Sequence, residues 1–594
     1  MTTTPRAGST PAPTRGATTT RGTAPAQPSS PGAPAASQKD RGIVLLFLGL
    51  MVTMLLASLN QTVLSSALPT IVGELDGVEH MSWVITAFIL ASTITMPIYG
   101  KVSDVLGRKP LLLTAILLFM AGSVIGALAG DMNLLIVGRT VQGLGGGGLM
   151  ILSQAAIADV IPARERGKYM GIMGAVFAVS SVAGPLLGGW FTEGPGWRWV
   201  FWINIPLGVV AALAAIFLLH LPKKARSAER VRHDYLGMAL MAVATTALVL
   251  VGTWGGSQYE WGSATILGLI ALAVVAAVAF VLVEKRADEP IIPLHLFADR
   301  NFTVTTIAAL ATGIAMFGAI GYMPTYLQMA TGASATAAGL LMIPMMGSLL
   351  VTSVITGQMV SRTGKYKVTP IVGSLVLGVG LALLSTVEAD TATPMICVFL
   401  AVIGIGLGGS MQILTLIVQN SFPLREVGTA TAANNYFRQV GATLGSAVVG
   451  SVFIARLTNL LAEKFPQGTG SAGGTGSLTP DLVQSLPDGV RALVIESYNE
   501  ALVPLFLYMV PLAIIAAIAL CFVHEKPLAT SVEHEIAAEA LAEGQLLVTD
   551  ADPDADPDAD PDAAPDADPD ADPDEASDAV GRGESVSAGA RPER

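Results

Sequence analysis

Fourteen stretches of predominantly apolar residues run through the chain between Gly42 and Val523, with no hydrophilic block long enough for a soluble domain between them. A helix needs about 20 such residues to cross a bilayer, where every backbone polar group must be paired within the protein. We therefore expect an all-α polytopic membrane protein. The predicted spans 1 to 14 are 43–67, 81–100, 111–130, 134–157, 169–191, 199–221, 236–254, 264–284, 303–329, 336–360, 369–387, 394–418, 430–454 and 501–523.

Lysine and arginine are distributed unevenly over the loops between these spans. Every second loop contains them, in groups as at 101–109, 164–168 and 362–367 or singly as Arg425, whereas the intervening short loops contain almost none apart from Arg198. The positive-inside rule assigns the lysine- and arginine-rich loops to the cytoplasm. We therefore expect a multi-pass protein of the cytoplasmic (inner or plasma) membrane with both termini in the cytoplasm and the long loop 457–500 outside.

Two sequence segments recur in the second half of the chain. GKVSDVLGRK at 100–109 is echoed by GQMVSRTGKYK at 357–367, and PARERG at 162–167 is echoed by PLREVG at 423–428. The offsets agree within four residues, which indicates two parallel repeats of six spans with a site between them. The predicted domains are an N-terminal six-helix bundle at 42–221, two inserted helices with linkers at 222–300 and a C-terminal six-helix bundle at 301–524.

The two ends of the chain differ from the rest in composition. Residues 1–41 are rich in Thr, Ala, Pro and Gly, and we expect a disordered cytoplasmic leader. Residues 525–594 have a net charge of −17, against +5 for the rest of the chain, and from Asp550 the tail is mostly Asp-Pro-Asp-Ala repetition. Like charges repel and proline prevents helix formation, so we expect an acidic, disordered, solvated cytoplasmic tail; cation binding and protein docking are alternatives.

A first cluster of special residues closes span 2 in GKVSDVLGRK. Gly100 and Gly107 permit a tight turn, and Asp104 can accept hydrogen bonds from the start of the next helix. Arg108 and Lys109 lie on the positively charged side. A structural turn would explain any one residue, but the ordered set is more specific.

A second cluster is LIVGRTVQGLGGGG in span 4, where Arg139 lies in an apolar helix. A guanidinium in a membrane span is costly and usually faces a cavity or a partner, so Arg139 is a functional candidate. The alternative is that its side chain reaches the outer end of the span.

A third cluster in span 5 contains Gly184, Pro185, Gly188 and Gly189. Small residues allow helices to approach closely and proline bends a helix, which suits two halves that move against each other. Ordinary glycine-rich membrane packing is the alternative.

Together these clusters resemble the signatures of the major facilitator superfamily, specifically its fourteen-span drug:proton antiporters. The resemblance implies two six-helix bundles with two inserted central helices, and export of amphipathic compounds driven by proton entry. It also implies a cytoplasmic latch of Gly100, Asp104, Gly107 and Arg108, a proton relay that includes Arg139 and Asp104, and an exporter hinge at 184–189.

Two departures from the family pattern concern charge. Asn60 stands where the family usually has an aspartate in span 1, and Ser361 stands at the second-half position equivalent to Asp104. An asparagine cannot titrate, and no Asp or Glu lies near the middle of any predicted span. A cation-binding cavity normally needs a buried carboxylate, so we expect neutral, zwitterionic or anionic amphipaths to be better substrates than permanent dications.

Polar residues within the spans are candidates for the substrate cavity. Amides that face a cavity can bind many ligands without requiring one charge, although interhelical hydrogen bonding is an equal alternative for each. Phe437 and Arg438 together could stack on and pair with an anionic aromatic ligand. The cavity candidates are Asn60, Gln61, Gln328, Gln412, Asn434, Asn435 and Arg438.

The leading hypothesis is thus a proton-coupled exporter of hydrophobic or amphipathic drugs and antibiotics. One alternative is a dedicated exporter of a self-made metabolite, lipid or siderophore; another is a membrane sensor or scaffold with the tail as its output. We expect no enzyme, since the sequence contains no metal-ligand spacing, nucleophile elbow or phosphate loop. The expected partners are small amphipathic substrates, protons and the lipid bilayer, without nucleic acid, metal or cofactor, and a monomer is favoured.

Overall fold

The computed structural model describes residues 35–75, 80–219, 234–256, 258–464 and 483–530. These ranges fold into helices joined by short loops and contain no β-strand. Most of the predicted leader and the tail beyond residue 530 lie outside the described residues. Where the leader can be described, it differs from the expectation, because the first helix already begins at Ala35.

The helices follow the predicted order, and they keep the span numbers given above. Spans 1 to 6 are Ala35–Glu74, Met81–Leu106, Arg108–Ala127, Met132–Val160, Ala163–Glu193, and the pair Trp199–Trp202 and Asn204–Phe217. Spans 7 and 8 are Tyr235–Trp254 and Ala264–Glu284, followed by the short 3₁₀ helix Leu294–Ala298. Spans 9 to 14 are Arg300–Ile320 with Met323–Thr331, Ala335–Leu341 with Ile343–Thr363, Val368–Leu384, Thr393–Gln419, Val427–Lys464 and Asp488–Cys521.

Thirteen helices in the described part of the chain are long and apolar enough to cross a membrane. This confirms the all-α polytopic fold. Span 11, Val368–Leu384, is apolar but has 17 residues, a length of about 26 Å. Because the count of fourteen depends on this helix, that count stays a prediction.

The helix packing repeats between the two halves with an offset of eight spans. Span 1 packs on span 5, and spans 2 and 3 pack on span 4; correspondingly, span 9 packs on span 13, and spans 10 and 11 pack on span 12. The halves meet through spans 2 and 13 and through spans 5 and 10, which are equivalent pairs. Each of these contacts in the first half therefore has a counterpart in the second.

The segment expected as a long external loop, 457–500, is partly helical. Span 13 continues to Lys464 and span 14 begins at Asp488. The two helices are joined there by the Lys464 ammonium, which lies 3.2 Å from Glu500 and 3.5 Å from Glu496. The extended ends also pack together, since Leu457, Val494 and Tyr498 lie in one buried apolar cluster, and this packing explains why the helices extend beyond the predicted limits.

Candidate functional site

A cavity of about 150 Å³ lies between the two halves. Spans 1, 2, 4 and 5 of the first half and the equivalent spans 9, 10, 12 and 13 of the second half contribute its walls. Methionine is flexible and polarizable, so a wall of this kind can adapt to ligands of different shape. Its methionine and phenylalanine residues are Met54, Met96, Met150, Met173, Met316, Met411, Phe88, Phe177 and Phe317.

Four of the predicted cavity residues are on this wall: Gln61, Gln412, Asn435 and Arg438. Gln439 also lines the cavity and was missed in the sequence. It lies four residues after Asn435 and therefore on the same face of span 13, which is the signal that could have identified it.

The structure does not bring Asn60, Gln328 and Asn434 to the cavity, and it corrects these three expectations. The Gln328 amide donates to the Pro324 carbonyl oxygen at 3.2 Å, within its own helix. The Asn434 amide donates to the Thr306 hydroxyl of span 9 at 3.3 Å. Neighbouring residues point about 100° apart around a helix, so Asn434 faces span 9 while the next residue faces the cavity.

Arg438 is the one charged side chain among the described residues that line the cavity. Its Nη2 donates to Asn435 Oδ1 at 2.5 Å, and Asn435 Nδ2 donates to Gln154 Oε1 at 3.1 Å. No carboxylate of the described residues forms an ion pair with it. A positive charge without a counter-ion therefore faces the cavity.

The predicted clamp of Phe437 and Arg438 does not form. Phe437 packs edge-on against Phe297, with ring centroids 5.8 Å apart, and against Tyr436 at 5.5 Å. Because Phe437 precedes Arg438 by one residue in the helix, it points away from the cavity. The aromatic rings available to a ligand are Phe88, Phe177 and Phe317 instead.

Arg139 lies fully inside the first half, with 1% of its surface exposed. Its Nε donates to the Val84 carbonyl oxygen at 3.1 Å, its Nη1 donates to Gln142 Oε1 at 2.5 Å, and its guanidinium lies 4.3 Å from the Phe88 ring centre. The alternative that Arg139 reaches the outer surface is therefore wrong. Phe88, which also lines the cavity, connects Arg139 to it.

Asn60 belongs to a buried polar network next to Arg139. Asn60 Oδ1 accepts from Gln142 Nε2 at 2.9 Å and from Asn204 Nδ2 at 3.2 Å. Ser123 Oγ accepts from the same two amides at 2.8 and 3.3 Å. The network joins spans 1, 3, 4 and 6, and its amide and hydroxyl side chains do not titrate near neutral pH. Gln142 was missed in the sequence, although it lies three residues after Arg139.

The predicted latch residues meet at the ends of spans 2, 3 and 4. Arg108, 1% exposed, lies 2.5 Å from Asp104 and 3.1 Å from Asp159, and it also donates to Ser103 Oγ at 2.5 Å. Gly107, between spans 2 and 3, has φ +91°, a conformation that glycine adopts readily and other residues rarely do.

Asp104 also connects the two halves. Its carboxylate accepts from the backbone amides of Gly428 and Thr429 at 3.3 and 2.7 Å, and from the Thr429 hydroxyl at 2.6 Å. It therefore caps the N-terminus of span 13, where a negative charge is favourable. Gly100 makes this approach possible, because a Cβ there would collide with Ala432 and with the carbonyl oxygen of Gly428.

Spans 5 and 10 form the contact that is equivalent to the one between spans 13 and 2. Its hydrogen-bond acceptors are neutral oxygens and not a carboxylate. Ser361 Oγ accepts from the Lys168 backbone amide at 3.0 Å. The Arg164 guanidinium donates to the carbonyl oxygens of Ser361 and Arg362 at 3.3 and 3.2 Å. At these two equivalent positions the acceptor is thus a carboxylate in one case and a set of neutral oxygens in the other, in agreement with the serine at position 361.

The four residues of the predicted hinge have different surroundings in span 5. A Cβ on Gly184 would collide with Thr62, and one on Gly188 would collide with Ser66 and the carbonyl oxygen of Val63, all in span 1. A Cβ on Gly189 would meet no atom within 4 Å. Pro185 faces Gly339 of the second half. Gly184 and Gly188 therefore allow close packing of spans 1 and 5, whereas Gly189 does not contribute to it.

Two similarly packed helical halves with a cavity between them define a membrane transporter. The chain belongs to the major facilitator superfamily, whose family model matches residues 50–446. It is therefore an integral membrane protein of a family that transports small molecules.

Two relatives from Bacillus subtilis (strain 168) cover most of the chain. Multidrug transporter protein MdtP is 40% identical over 420 residues, which are 71% of this chain and 77% of that protein. Multidrug resistance protein 3 is 32% identical over 504 residues, 83% of this chain and 98% of that protein. The crystal structure of the human organic anion transporter MFSD10 (TETRAN) covers 81% of this chain and 99% of its own, with a TM-score of 0.54 and 15% identity, and shows the fold alone.

Proposed function

We propose that this transporter exports amphipathic compounds from the cytoplasm by alternating access, in exchange for protons, across the cytoplasmic membrane. The observation that supports it best is the cavity between the halves, whose wall combines methionine and phenylalanine with a few amides. Such a wall binds apolar bodies without requiring one shape. The relatives named as multidrug proteins support the same function.

The latch, relay and hinge have defined places in this proposal. Asp104 holds spans 2 and 13 together on the cytoplasmic side, and export requires this contact to open and close. The close packing of spans 1 and 5 at Gly184 and Gly188 holds the first half together as it moves. Arg139 and its amide network connect the cavity wall to the interior of the first half.

The charge of the cavity supports a particular substrate class. The described residues that line the cavity include no carboxylate that could pair with Arg438. A cationic substrate would therefore be repelled by Arg438 in this site of low dielectric constant. An anionic group can pair with the guanidinium, and a neutral compound is not repelled. We therefore propose neutral and anionic amphipaths as substrates, exported by a monomer.

Three fluorescent amphipaths that differ only in one group test this function: a carboxylate, its amide and a quaternary ammonium. Uptake into inverted membrane vesicles, with and without a proton gradient, is compared for the wild type, Arg438→Gln and the control Arg491→Gln, which changes a cation outside the cavity. We expect gradient-driven uptake of the carboxylate and the amide, and selective loss of the carboxylate in Arg438→Gln. Uptake that ignores the gradient contradicts proton exchange, and preferred uptake of the quaternary ammonium contradicts the substrate class.

A further inference from the structure

Glu284, the last residue of span 8, is a buried carboxyl group that no part of the proposed transport path uses. It is 3% exposed. Its Oε1 accepts from the backbone amide of Ile291 at 3.1 Å, whereas its Oε2 is buried without a hydrogen-bond partner among the residues that the structure describes. A buried carboxylate oxygen without a donor is unfavourable, and binding a proton removes the charge.

A second carboxyl group, Asp234, precedes span 7, which packs against span 8, and its charge acts on Glu284. Asp234 Oδ1 accepts from the Gly237 amide at 2.8 Å, and Asp234 Oδ2 is also buried without a partner in the described part of the chain. Asp234 and Lys101 are the charged groups that interact with Glu284 there. The Lys101 ammonium is already paired with Glu289 at 2.6 Å. Two neighbouring carboxyl groups with one shared cation favour a state in which one of them is protonated.

The chain that follows Glu284 leads directly to the two helices that the latch joins. Glu289 binds Lys101 of span 2, three residues before Asp104. His295 Nε2 lies 2.9 Å from Glu426, immediately before span 13. Ile291 and Ile292 pack in one apolar cluster with Ala430 and Ala433 of span 13. A change in the charge of Glu284 can therefore act on spans 2 and 13 at once.

We propose that Glu284, together with Asp234, is the proton-binding site that couples proton entry to opening of the cytoplasmic latch. The inference rests on the proposed proton-coupled export and provides a carrier that Asn60 in span 1 cannot be. With a proton bound, Glu284 is neutral and Lys101 stays with Glu289. When the proton leaves, the buried carboxylate attracts Lys101 away from Glu289, and this end of span 2, three residues before Asp104, shifts toward span 8.

The test compares the wild type with Glu284→Gln, Asp234→Asn and the conservative Glu284→Asp in inverted vesicles. A matched control, Glu260→Gln, removes an exposed carboxyl group from the loop between spans 7 and 8. Two rates are measured with the neutral amphipath: uptake driven by a gradient of one pH unit, and downhill exchange without a gradient. We expect the gradient to speed wild-type uptake and to raise the final accumulation ratio by up to about tenfold per coupled proton.

In Glu284→Gln we expect the gradient to stimulate uptake no longer, while downhill exchange remains. The rate of downhill exchange should then no longer depend on pH. Asp234→Asn should shift the pH dependence, Glu284→Asp should restore gradient stimulation, and Glu260→Gln should behave as the wild type. Proton release on substrate binding, followed with a pH-sensitive dye on purified protein, should be lost in Glu284→Gln.

The results separate this inference from the proposed function. If the gradient does not stimulate the wild type, proton-coupled export itself is wrong. If it stimulates the wild type and Glu284→Gln equally, the export proposal stands and the assignment of the proton site is overturned. If Glu284→Gln and Glu284→Asp both lose downhill exchange, Glu284 has a structural role and the assignment is likewise overturned.

Discussion

The carboxylate of Asp104 in span 2 accepts hydrogen bonds from both the backbone amide and the hydroxyl of Thr429 in span 13, at 2.7 and 2.6 Å. One half of the transporter thus caps a helix of the other half. The same carboxylate lies 2.5 Å from Arg108, so the ion pair within the first half and the contact between the halves depend on one residue.

Replacing Asp104 by asparagine should weaken both contacts. Removing one partner of a buried ion pair typically costs about 3–5 kcal/mol, and we expect export to fall by at least about tenfold. Ser361→Ala, at the equivalent position, loses one neutral hydrogen bond and should reduce export less than about threefold. Labelling of Ser92→Cys on the cavity wall from the cytoplasmic side, with Cys397 and Cys521 replaced, should increase in Asp104→Asn. Equal effects of the two substitutions would contradict the special role of the carboxylate.

Gly188→Ala and Gly189→Ala should differ although the residues are adjacent. The added methyl group at Gly188 collides with span 1, and overpacking of this kind typically costs about 1–3 kcal/mol. At Gly189 there is open space, and alanine is the better helix former by about 1 kcal/mol. The thermal unfolding temperature in detergent should drop for Gly188→Ala and stay or rise for Gly189→Ala. A lower unfolding temperature for both would mean that span 5 does not tolerate any larger residue here.

Gln61→Glu and Asn60→Asp should change substrate charge preference to different degrees. Gln61 faces the cavity, so a carboxylate there can pair with a cationic substrate; Asn60 lies in the amide network behind the wall. We expect the new carboxylate in Gln61→Glu to improve the binding free energy of a lipophilic cation by roughly 1 kcal/mol. Because this corresponds to a factor of about five in affinity, export of the cation should rise about fivefold. Asn60→Asp should leave the preference nearly unchanged. A larger gain in Asn60→Asp, measured as the cation-to-neutral export ratio, would show that position 60 contacts the substrate.

Truncation after residue 530 should leave transport intact, whereas truncation after residue 523 should not. Glu525 Oε1 accepts from the backbone amides of Tyr366 and Lys367 at 2.7 and 3.2 Å, and the Ala529 carbonyl oxygen accepts from the Arg164 amide at 3.0 Å. The backbone amide of Lys526 donates to the Tyr366 phenol, whose pKa is raised by burial, so it stays protonated.

Truncation after residue 523 removes all of these contacts, and we expect a lower yield of folded protein by size-exclusion chromatography together with slower export. Truncation after residue 530 keeps these contacts and removes only the rest of the acidic tail, residues 531–594. Loss of export in the protein truncated after residue 530 would favour the alternative in which the tail is the output of a sensor or scaffold.

The sequence by itself determined the class of fold. A bilayer requires long continuous apolar helices, and the apolar stretches that form them can be recognised one after another along the chain. The proximity of Asp104 and Arg108 also follows from the sequence, since they are four residues apart across a single turn; their latch role came from the family resemblance and stays a prediction. The family signatures in spans 2 to 5 led to the same conclusion as the family match.

Only the tertiary structure decided which polar side chains face the cavity. Gln61 and Asn435 line it, while their neighbours Asn60 and Asn434 bind other helices. A membrane helix is apolar on all sides, so no amphipathic pattern reveals its rotation, and one residue along the chain turns a side chain by about 100°. The electrostatic interaction of Glu284 with Asp234 is likewise a product of how spans 7 and 8 pack, which no spacing in the sequence encodes.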